Sequence, residues 1–348
     1  MISEVLAGEK CFEFEVGDSL KILREIPDES IDCVITSPPY WQQRIYEDYD
    51  GEMTEIIGSE KKPEEYVENL MKIIREVQRI LKKEGTFWLN IGDKFNDKCL
   101  MGMPWRVALK MQDEGWILRS DIIWDQMKGT QSCTDRFRDI YEHVFQFVKS
   151  KKYYFEADPI RIIPKKDAYE KDGTITSATG VSGKKYFKQI ETSEVLTEEE
   201  RKNALDALNE TLEEMRRGEV VDFRMTIRGE QRTYHSENKK ISGRAKELND
   251  KGFFIMKMRK KGFLPSDIWR IVPEDTWRKD THCAVFPEEL LKMPILSTCP
   301  EGGIVLDPFS GTGSTVDAAV KLGRRGIGID LSNQYTEIAR RRLAELIG

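Results

Sequence analysis

The chain carries near its amino end the stretch Thr36-Ser37-Pro38-Pro39-Tyr40-Trp41, directly after the apolar run Ile31-Asp32-Cys33-Val34-Ile35. The β-branched residues of that run predict a buried strand. Two consecutive prolines cannot donate to a strand ladder and each restricts φ, so strand pairing should stop at Pro38. We therefore expect a rigid edge at the carboxyl end of a strand, bearing a hydroxyl group, a fixed backbone carbonyl and an aromatic ring.

These three groups suit a planar base with an exocyclic amino group. The Ser37 hydroxyl oxygen and the Pro38 carbonyl can accept the two N–H bonds of such an amine, and the Tyr40 ring can stack on the base. The motif resembles the Ser/Asp/Asn-Pro-Pro-Tyr/Phe/Trp motif of the S-adenosylmethionine-dependent DNA amino-methyltransferases. That resemblance implies a catalytic site formed by Ser37, Pro38, Pro39 and Tyr40. A Pro-Pro pair after a strand also fits an ordinary turn, so the rest of the chain must decide.

Length and composition restrict the possible functions. A chain of 348 residues with 39% hydrophobic and 33% charged side chains can form one large or two modest soluble domains. The net charge of −6 excludes a uniformly basic surface, so any contact with DNA requires a local basic patch. No apolar run is long enough to cross a bilayer, and the start Met1-Ile2-Ser3-Glu4 lacks the basic residues of a secretory signal. We therefore expect a cytoplasmic protein without a membrane partner.

Cysteine and histidine are used sparingly. The six cysteines include no Cys-x-x-Cys pair and the chain has three histidines, so the sequence supports neither a disulfide framework nor a metal site. No cysteine follows a proline, which argues against the methylases that attack carbon 5 of cytosine through a Pro-Cys nucleophile. His143 lies in an apolar strand pattern and is interpreted as a hydrogen-bonded core residue.

Strand and helix patterns alternate through both ends of the chain. A helical pattern starts at Pro63 and is expected to stop at Gly85, directly before a strand. Strands are predicted at 11–18, 31–35, 86–91, 117–124, 142–148, 303–307 and 325–330. Strand, helix, strand in this order predicts an α/β fold with a doubly wound, mostly parallel, Rossmann-like sheet.

A glycine-containing loop follows the strand at 303–307. It reads Asp307-Pro308-Phe309-Ser310-Gly311-Thr312-Gly313-Ser314-Thr315 and precedes a helix. The two glycines allow a ligand to approach the backbone closely, and the N–H groups at the helix start favour a carboxylate. A dinucleotide-binding loop is the competing interpretation, but residue 316 is valine where the third glycine or alanine of that fingerprint belongs.

This loop is similar to the cofactor loop of the same methyltransferase family, whose methyl donor is S-adenosyl-L-methionine. The resemblance implies that Asp330 accepts the ribose hydroxyls, that Asp18 meets the adenine amino group, and that 281–290 folds over the methionine end. Asp18 can equally be read as a helix N-cap. The implied cofactor-binding residues are Asp18, Thr36, His282, Phe286, Pro287, Asp307, Pro308, Phe309, Gly311, Gly313, Ser314, Thr315 and Asp330.

The order of the motifs is also informative. The catalytic motif comes first and the cofactor loop last, which resembles the circularly permuted β group of DNA amino-methyltransferases. We expect a catalytic half at 1–160, a target-recognition insert at 161–261 and a cofactor-binding half at 262–348.

The insert contains the basic part of the chain. Residues 165–190 are rich in Lys, Gly, Ser and Thr and are expected to form a loop, whereas a capping box at Thr197 predicts the start of a helix. Residues 223–261 contain twelve lysine and arginine residues but only four acidic residues. Such an excess suits contact with the phosphates of double-stranded DNA. The predicted contact residues are Arg224, Arg228, Arg232, Lys239, Lys240 and Arg244.

The resemblance is greatest to the cytosine-N4 branch, where the first motif position is typically serine, and it extends to Asp121-Ile122-Ile123-Trp124. It implies methylation of the exocyclic N4 amine of a flipped cytosine at specific DNA sites, without a metal. Adenine N6 is the alternative target, because both amines offer the same chemistry. Two different classes of function stay open as well, a catalytically silent DNA-binding protein and a nucleotide-dependent oxidoreductase. The sequence leaves open the target site and whether a cognate restriction endonuclease is a partner.

Overall fold

The computed structural model describes residues 1–43, 57–127, 133–171, 173–229, 243–273 and 286–347. The chain divides into two compact units, a larger one formed by Met1–Ile160 with Ser266–Gly348 and a smaller one formed by Arg161–Pro265. The first division, between residues 160 and 161, lies at a boundary expected from the sequence. The second, between residues 265 and 266, lies four residues beyond the other expected boundary. None of the helices in the described ranges is both long and apolar enough to cross a membrane.

The secondary structure alternates as the patterns suggest. The helices are α1 (Ile2–Ala7), α2 (Ser19–Glu25), α3 (Pro63–Ile80), α4 (Met103–Asp113), α5 (Lys184–Glu191), α6 (Glu198–Arg216), α7 (Arg244–Lys251), α8 (Glu288–Thr298), α9 (Ser314–Lys321) and α10 (Asn333–Ile347). The strands are β1 (Phe12–Val16), β2 (Ile31–Thr36), β3 (Leu81–Ile91), β4 (Phe95–Asn96), β5 (Cys99–Leu100), β6 (Ile117–Asp125), β7 (Tyr141–Val148), β8 (Tyr169–Lys171), β9 (Thr174–Thr176), β10 (Val220–Ile227), β11 (Phe253–Arg259), β12 (Ile268–Arg270), β13 (Ile304–Asp307) and β14 (Arg325–Asp330).

An eight-stranded sheet forms the centre of the larger unit, in the order β1-β14-β13-β2-β3-β7-β6-β12. Its strands pair in parallel except at β7, which is antiparallel to both of its neighbours. The predicted α/β class with a mostly parallel sheet is confirmed.

Strand β2 shows why this sheet has helices on both faces. All six of its residues are buried, and successive side chains of a strand point to opposite faces. Val34 belongs to the same core cluster as Leu70 of α3. Its neighbours Cys33 and Ile35 belong to a second cluster with Leu291 of α8. Burial on both faces accounts for the near-continuous apolar run in the sequence.

The expected boundary between the first long helix and the next strand is wrong. Helix α3 ends at Ile80 and β3 begins at Leu81, so Gly85 lies inside the strand and does not stop the helix. A side chain at Gly85 would come within 2.8 Å of the Asp32 carbonyl oxygen. The glycine is therefore required for the close approach of β2 and β3.

The smaller unit has its own core around the antiparallel pair β10–β11. The capping box at Thr197 is confirmed, since Thr197 Oγ1 accepts from the Glu200 N–H at the start of α6. The loop expected at 165–190 is wrong, because β8, β9 and most of α5 lie there. Tyr186 and Ile190 are buried one helical turn apart in α5, a spacing that the surrounding polar residues obscured.

Candidate functional site

The two predicted halves of the site meet at one edge of the large sheet. Strands β2 and β13 are parallel neighbours, with Cys33 paired to Val305. Their carboxyl ends therefore lie at the same edge, where open α/β sheets bind ligands. Thr36 Oγ1 donates a 2.6 Å hydrogen bond to Asp307 Oδ1, which links positions 271 residues apart. Ser19 Oγ, next to Asp18, donates to the Pro308 carbonyl at 2.5 Å.

Asp307 anchors the start of the glycine loop from a buried position. Its Oδ1 accepts from Thr36 Oγ1 and from the Phe309 N–H at 3.0 Å, and its Oδ2 accepts from Thr315 Oγ1 at 2.6 Å. Burial raises the pKa of Asp307 to about 6, although these three donors act in the opposite direction. The predicted site residues Thr36 and Thr315 thus hold the carboxylate that shapes the loop.

The loop glycines have different surroundings. Gly313 has φ +80°, and a side chain there would come within 2.7 Å of both the Phe14 ring and Ala339. Gly311 has φ +50° and donates its N–H to Asp330 Oδ2 at 2.8 Å. Gly313 therefore allows close packing within the protein, whereas Gly311 connects the loop to the end of β14.

Two carboxylates flank the loop. Asp330 Oδ1 accepts from the Ser332 N–H at 2.8 Å while Oδ2 is held by Gly311, and burial raises its pKa. Each carboxylate oxygen has two acceptor sites, so Asp330 retains capacity for ribose hydroxyls. Asp18 caps α2 by accepting from the Lys21 N–H at 2.9 Å, which confirms its N-cap interpretation. Contact with the adenine amino group stays a prediction.

The remaining predicted cofactor residues divide by exposure. Phe286, Phe309 and Gly311 are partly exposed, and Pro287 is the N-cap residue of α8. Pro308 and Ser314 are buried, so they can act on a ligand through the backbone or through their neighbours. His282 lies outside the described residues.

The residues at this edge fit S-adenosylmethionine. Asp330 offers acceptors for hydroxyl groups, and the amino end of α9 offers N–H donors for a carboxylate. Within the described ranges, Ser310 Oγ is buried and has no hydrogen-bond partner. A side chain at Gly328 of β14 would come within 2.8 Å of that same oxygen. The unpaired hydroxyl oxygen of Ser310 thus lies beside the loop, next to space that Gly328 leaves open by having no side chain.

The catalytic motif belongs to a hydrogen-bonded cluster of four side chains. Ser37 Oγ lies 3.0 Å from the Tyr40 hydroxyl, which lies 2.6 Å from Glu142 Oε2. Asn90 Nδ2 contacts the Tyr40 hydroxyl at 2.5 Å and Glu142 Oε2 at 2.7 Å. The Pro39 carbonyl accepts from the Tyr66 hydroxyl at 3.0 Å, and Pro38 is buried. The two prolines are therefore fixed beside the cluster.

Asn90 and Glu142 are not among the site residues that the sequence predicts. Asn90 is buried next to the last position of β3, in a run that is otherwise apolar. A buried amide at the carboxyl end of a central strand is the signal that could have indicated it. Burial, followed by the charge of Glu142, raises the pKa of Tyr40 well above its usual value of 10. Tyr40 is therefore a neutral phenol at physiological pH.

The predicted DNA-contact residues differ in availability. Arg224 donates to Asp222 Oδ1 at 2.9 Å, and Arg228 donates to Glu200 Oε2 at 2.7 Å. Both guanidinium groups are thus paired inside the smaller unit. Arg244 is exposed in the first turn of α7, while Arg232, Lys239 and Lys240 lie outside the described residues.

Other polar side chains are structural. The interpretation of His143 is confirmed, since it is buried and its Nδ1 lies 2.8 Å from Asp121 Oδ1. Within the residues that the structure covers, no cluster of three or more His, Cys, Asp or Glu side chains is arranged to hold a metal ion.

Known proteins are similar to this chain in sequence and in fold. A family model described as DNA methylase, for N6 and N4 methyltransferases, matches residues 31–341. The Type II methyltransferase M.SfiI of Streptomyces fimbriatus is 32% identical, with 93% of this chain and 89% of the relative covered. The structure of the cytosine-N4-specific PvuII DNA methyltransferase matches with a TM-score of 0.57 at 17% identity, covering 96% of this chain and 86% of that one.

A Thermus thermophilus protein, a putative DNA modification methylase solved with S-adenosyl-L-methionine, matches with a TM-score of 0.50 at 20% identity, over 95% of this chain and 94% of that one. The two solved structures show the shared fold. The family match and the identity to M.SfiI establish more, because both extend over most of the chain. This chain belongs to the S-adenosylmethionine-dependent N6/N4 DNA methylase family.

Proposed function

We propose that this DNA methyltransferase transfers the methyl group of S-adenosylmethionine to the N4 amine of a cytosine flipped out of duplex DNA. The observation that carries the proposal is the hydrogen bond from Thr36, which directly precedes Ser37, to Asp307, at the carboxyl ends of the adjacent strands β2 and β13. Serine at the first motif position favours cytosine N4, by resemblance to that branch of the family. The PvuII enzyme, whose name specifies cytosine N4, has the same fold.

The chemistry required of Ser37 and Pro38 is the activation of a weak nucleophile. The lone pair of an aromatic amine is delocalised into the ring. Acceptance of its two hydrogens by Ser37 Oγ and the Pro38 carbonyl would draw the nitrogen toward a tetrahedral geometry and free that lone pair. Bound S-adenosylmethionine would supply an electrophilic sulfonium methyl group, whose sulfur–carbon bond breaks as the nitrogen–carbon bond forms, with S-adenosylhomocysteine as the leaving group and one proton of the amine lost to solvent. Holding the reactants in line can contribute about 7 to 11 kcal/mol, and stacking on Tyr40 would offset a flipping cost of a few kcal/mol.

Asp330, Gly311 and Phe309 would hold the cofactor, together with Asp18 and the segment around Pro287. The smaller unit, with exposed Arg244 in α7, would contact the phosphates of the target. Because M.SfiI is named a Type II methyltransferase, we also propose that this chain is the modification enzyme of a restriction-modification system with a cognate endonuclease. Sequencing native DNA of the source for N4-methylcytosine and its flanking bases would test that role and identify the target.

The base is tested directly in vitro. Purified protein is incubated with duplex DNA and labelled S-adenosylmethionine, and the DNA is then digested to nucleosides, which are separated by chromatography and identified by mass spectrometry. N4-methylcytosine is the expected product. N6-methyladenine would refute the choice of base, and no methylated base with intact DNA binding would indicate a catalytically silent protein.

The variant Ser37→Ala tests the assigned site. It should lower kcat by about 10²-fold, which is typical for one lost transition-state hydrogen bond, while the Kd for S-adenosylmethionine stays unchanged. Weaker cofactor binding with intact turnover would contradict the role of Ser37.

A further inference from the structure

Glu142 is surrounded by hydrogen-bond donors. Its Oε1 accepts from Gln126 Nε2 at 2.7 Å, and its Oε2 lies 2.6 Å from the Tyr40 hydroxyl and 2.7 Å from Asn90 Nδ2. Gln126 and Asn90 are both buried. Each carboxylate oxygen therefore accepts a hydrogen bond from one amide N–H group. This arrangement suits an ionised carboxylate, which accepts hydrogen bonds and cannot donate them.

The charge of Glu142 fixes the direction of the neighbouring hydrogen bonds. Tyr40 has one proton and must donate it to Glu142, because two unprotonated oxygens 2.6 Å apart would repel each other. The Tyr40 oxygen can then only accept, from Asn90 Nδ2 at 2.5 Å and from Ser37 Oγ at 3.0 Å. Ser37 therefore donates inward to Tyr40.

This direction matters for the oxygen of Ser37. With its proton directed at Tyr40, Ser37 Oγ keeps its lone pairs for an outside donor, and the contact from Asn90 Nδ2 is long at 3.4 Å. With the opposite direction, the Ser37 proton would point outward and compete with the hydrogens of the substrate amine. The raised pKa of Tyr40 supports the first arrangement, since the phenol keeps the proton that it donates.

We propose that Glu142 is a positioning residue that, through Tyr40, fixes Ser37 Oγ as a hydrogen-bond acceptor toward the substrate amine. The inference rests on the proposed function and adds to it a residue outside the catalytic motif. Asn90 donates hydrogen bonds to both Tyr40 and Glu142 and so stabilises this arrangement of donors and acceptors. Glu142 itself does not touch the substrate in this scheme.

A double-mutant cycle tests the proposal in turnover. Glu142→Gln and Tyr40→Phe should each lower kcat by about tenfold or more, with the KM for DNA and the Kd for S-adenosylmethionine within about twofold of wild type. Phenylalanine keeps the ring for stacking. Since Glu142 acts through Tyr40, the double variant should be no slower than the slower single variant. The matched control is Asp121→Asn, which removes a carboxylate from the neighbouring strand and should leave kcat within about twofold.

The same chain of hydrogen bonds is tested on the protein alone by NMR of ¹³Cζ-labelled tyrosine, with the Tyr40 resonance identified by its loss in Tyr40→Phe. The titration runs from pH 7 to about pH 12. Tyr40 should stay unionised up to about pH 10 in wild type and in Asp121→Asn, because burial and the charge of Glu142 both raise its pKa. In Glu142→Gln burial remains but the negative charge is gone, so Tyr40 should ionise at a lower pH than in wild type.

Two results would overturn the proposal: multiplicative effects in the double variant, or a Tyr40 titration that Glu142→Gln leaves unchanged. Failure of the proposed function looks different. Wild type would then form no N4-methylcytosine, while the NMR titration would still decide the direction of the hydrogen bonds.

Discussion

Replacing Thr36 by valine should destabilise the larger unit in a pH-dependent way. Valine preserves the shape of threonine but removes the 2.6 Å hydrogen bond to Asp307. At pH 8 the Asp307 carboxylate is charged and buried, so the loss of a charge-assisted donor should lower the free energy of unfolding by about 1.5 to 3 kcal/mol.

The pH dependence follows from the protonation of Asp307. Burial raises its pKa from 3.8 to about 6, so the folded state binds the proton more tightly than the unfolded state does. The stability gained from this proton is fully present below about pH 3.8 and is lost as the pH rises to about 6, a change of about 3 kcal/mol. At pH 5 Asp307 is mostly protonated, and Thr36→Val then removes a neutral hydrogen bond that contributes about 0.5 to 1.5 kcal/mol. Thr36→Val should therefore lower the free energy of unfolding by about 1 kcal/mol more at pH 8 than at pH 5.

Urea unfolding followed by tryptophan fluorescence measures this difference. All seven tryptophans lie outside 161–265, so the signal reports the larger unit. Thr86→Val is the matched control, because Thr86 is fully buried and its Oγ1 has no partner within the described ranges. That variant removes a buried hydroxyl that has no partner, so it should leave the free energy of unfolding unchanged or raise it, by the same amount at pH 5 and at pH 8. An equal loss at pH 5 and pH 8 in Thr36→Val would refute the role assigned to the buried charge.

Three further substitutions test the site. Gly313→Ala should lower the free energy of unfolding in urea by about 2 to 5 kcal/mol, because the added methyl group overlaps its neighbours at a residue with positive φ. Gly323→Ala, at φ +76° but with open space around it, should lower it by only about 1 kcal/mol. Equal losses in the two variants would contradict the packing argument. Gly92→Ala would place a carbon 2.9 Å from the Tyr40 ring, and steady-state methylation should show a kcat at least about tenfold lower with unchanged cofactor affinity. Arg244→Ala should weaken DNA binding and reduce the salt dependence of log K by about 1; a salt dependence identical to that of wild type would exclude a phosphate contact.

Local patterns predicted the elements of the fold well, because burial on both faces and tight turns leave marks in a short stretch of sequence. The apolar run of β2, the glycine loop after β13 and the capping box of α6 are of this kind. Strand order is not local. Nothing in the alternation of residues 141–148 indicates that β7 inserts between β3 and β6 and runs antiparallel to both.

The candidate site was predictable where one motif supplies it and not where distant residues combine. Ser37 and Tyr40 could be identified from the motif, but Glu142 lies 102 residues beyond Tyr40 and meets it through tertiary structure. The basic insert shows the same limit, because counting charges cannot reveal that Arg224 and Arg228 are paired with acids of their own unit. The insert therefore contains more positive charge in its sequence than is free to contact the phosphates of DNA.

The pairing of β2 with β13 has a consequence for biosynthesis. Thr36 is translated 271 residues before its partner Asp307. The central strands of the nascent chain must therefore wait, partly unpaired, until the last part of the sheet has been made. Contacts so distant in sequence close slowly, and exposed apolar strands invite association with other chains in the meantime. We expect the yield of active enzyme to depend on chaperone supply more steeply than its stability once folded.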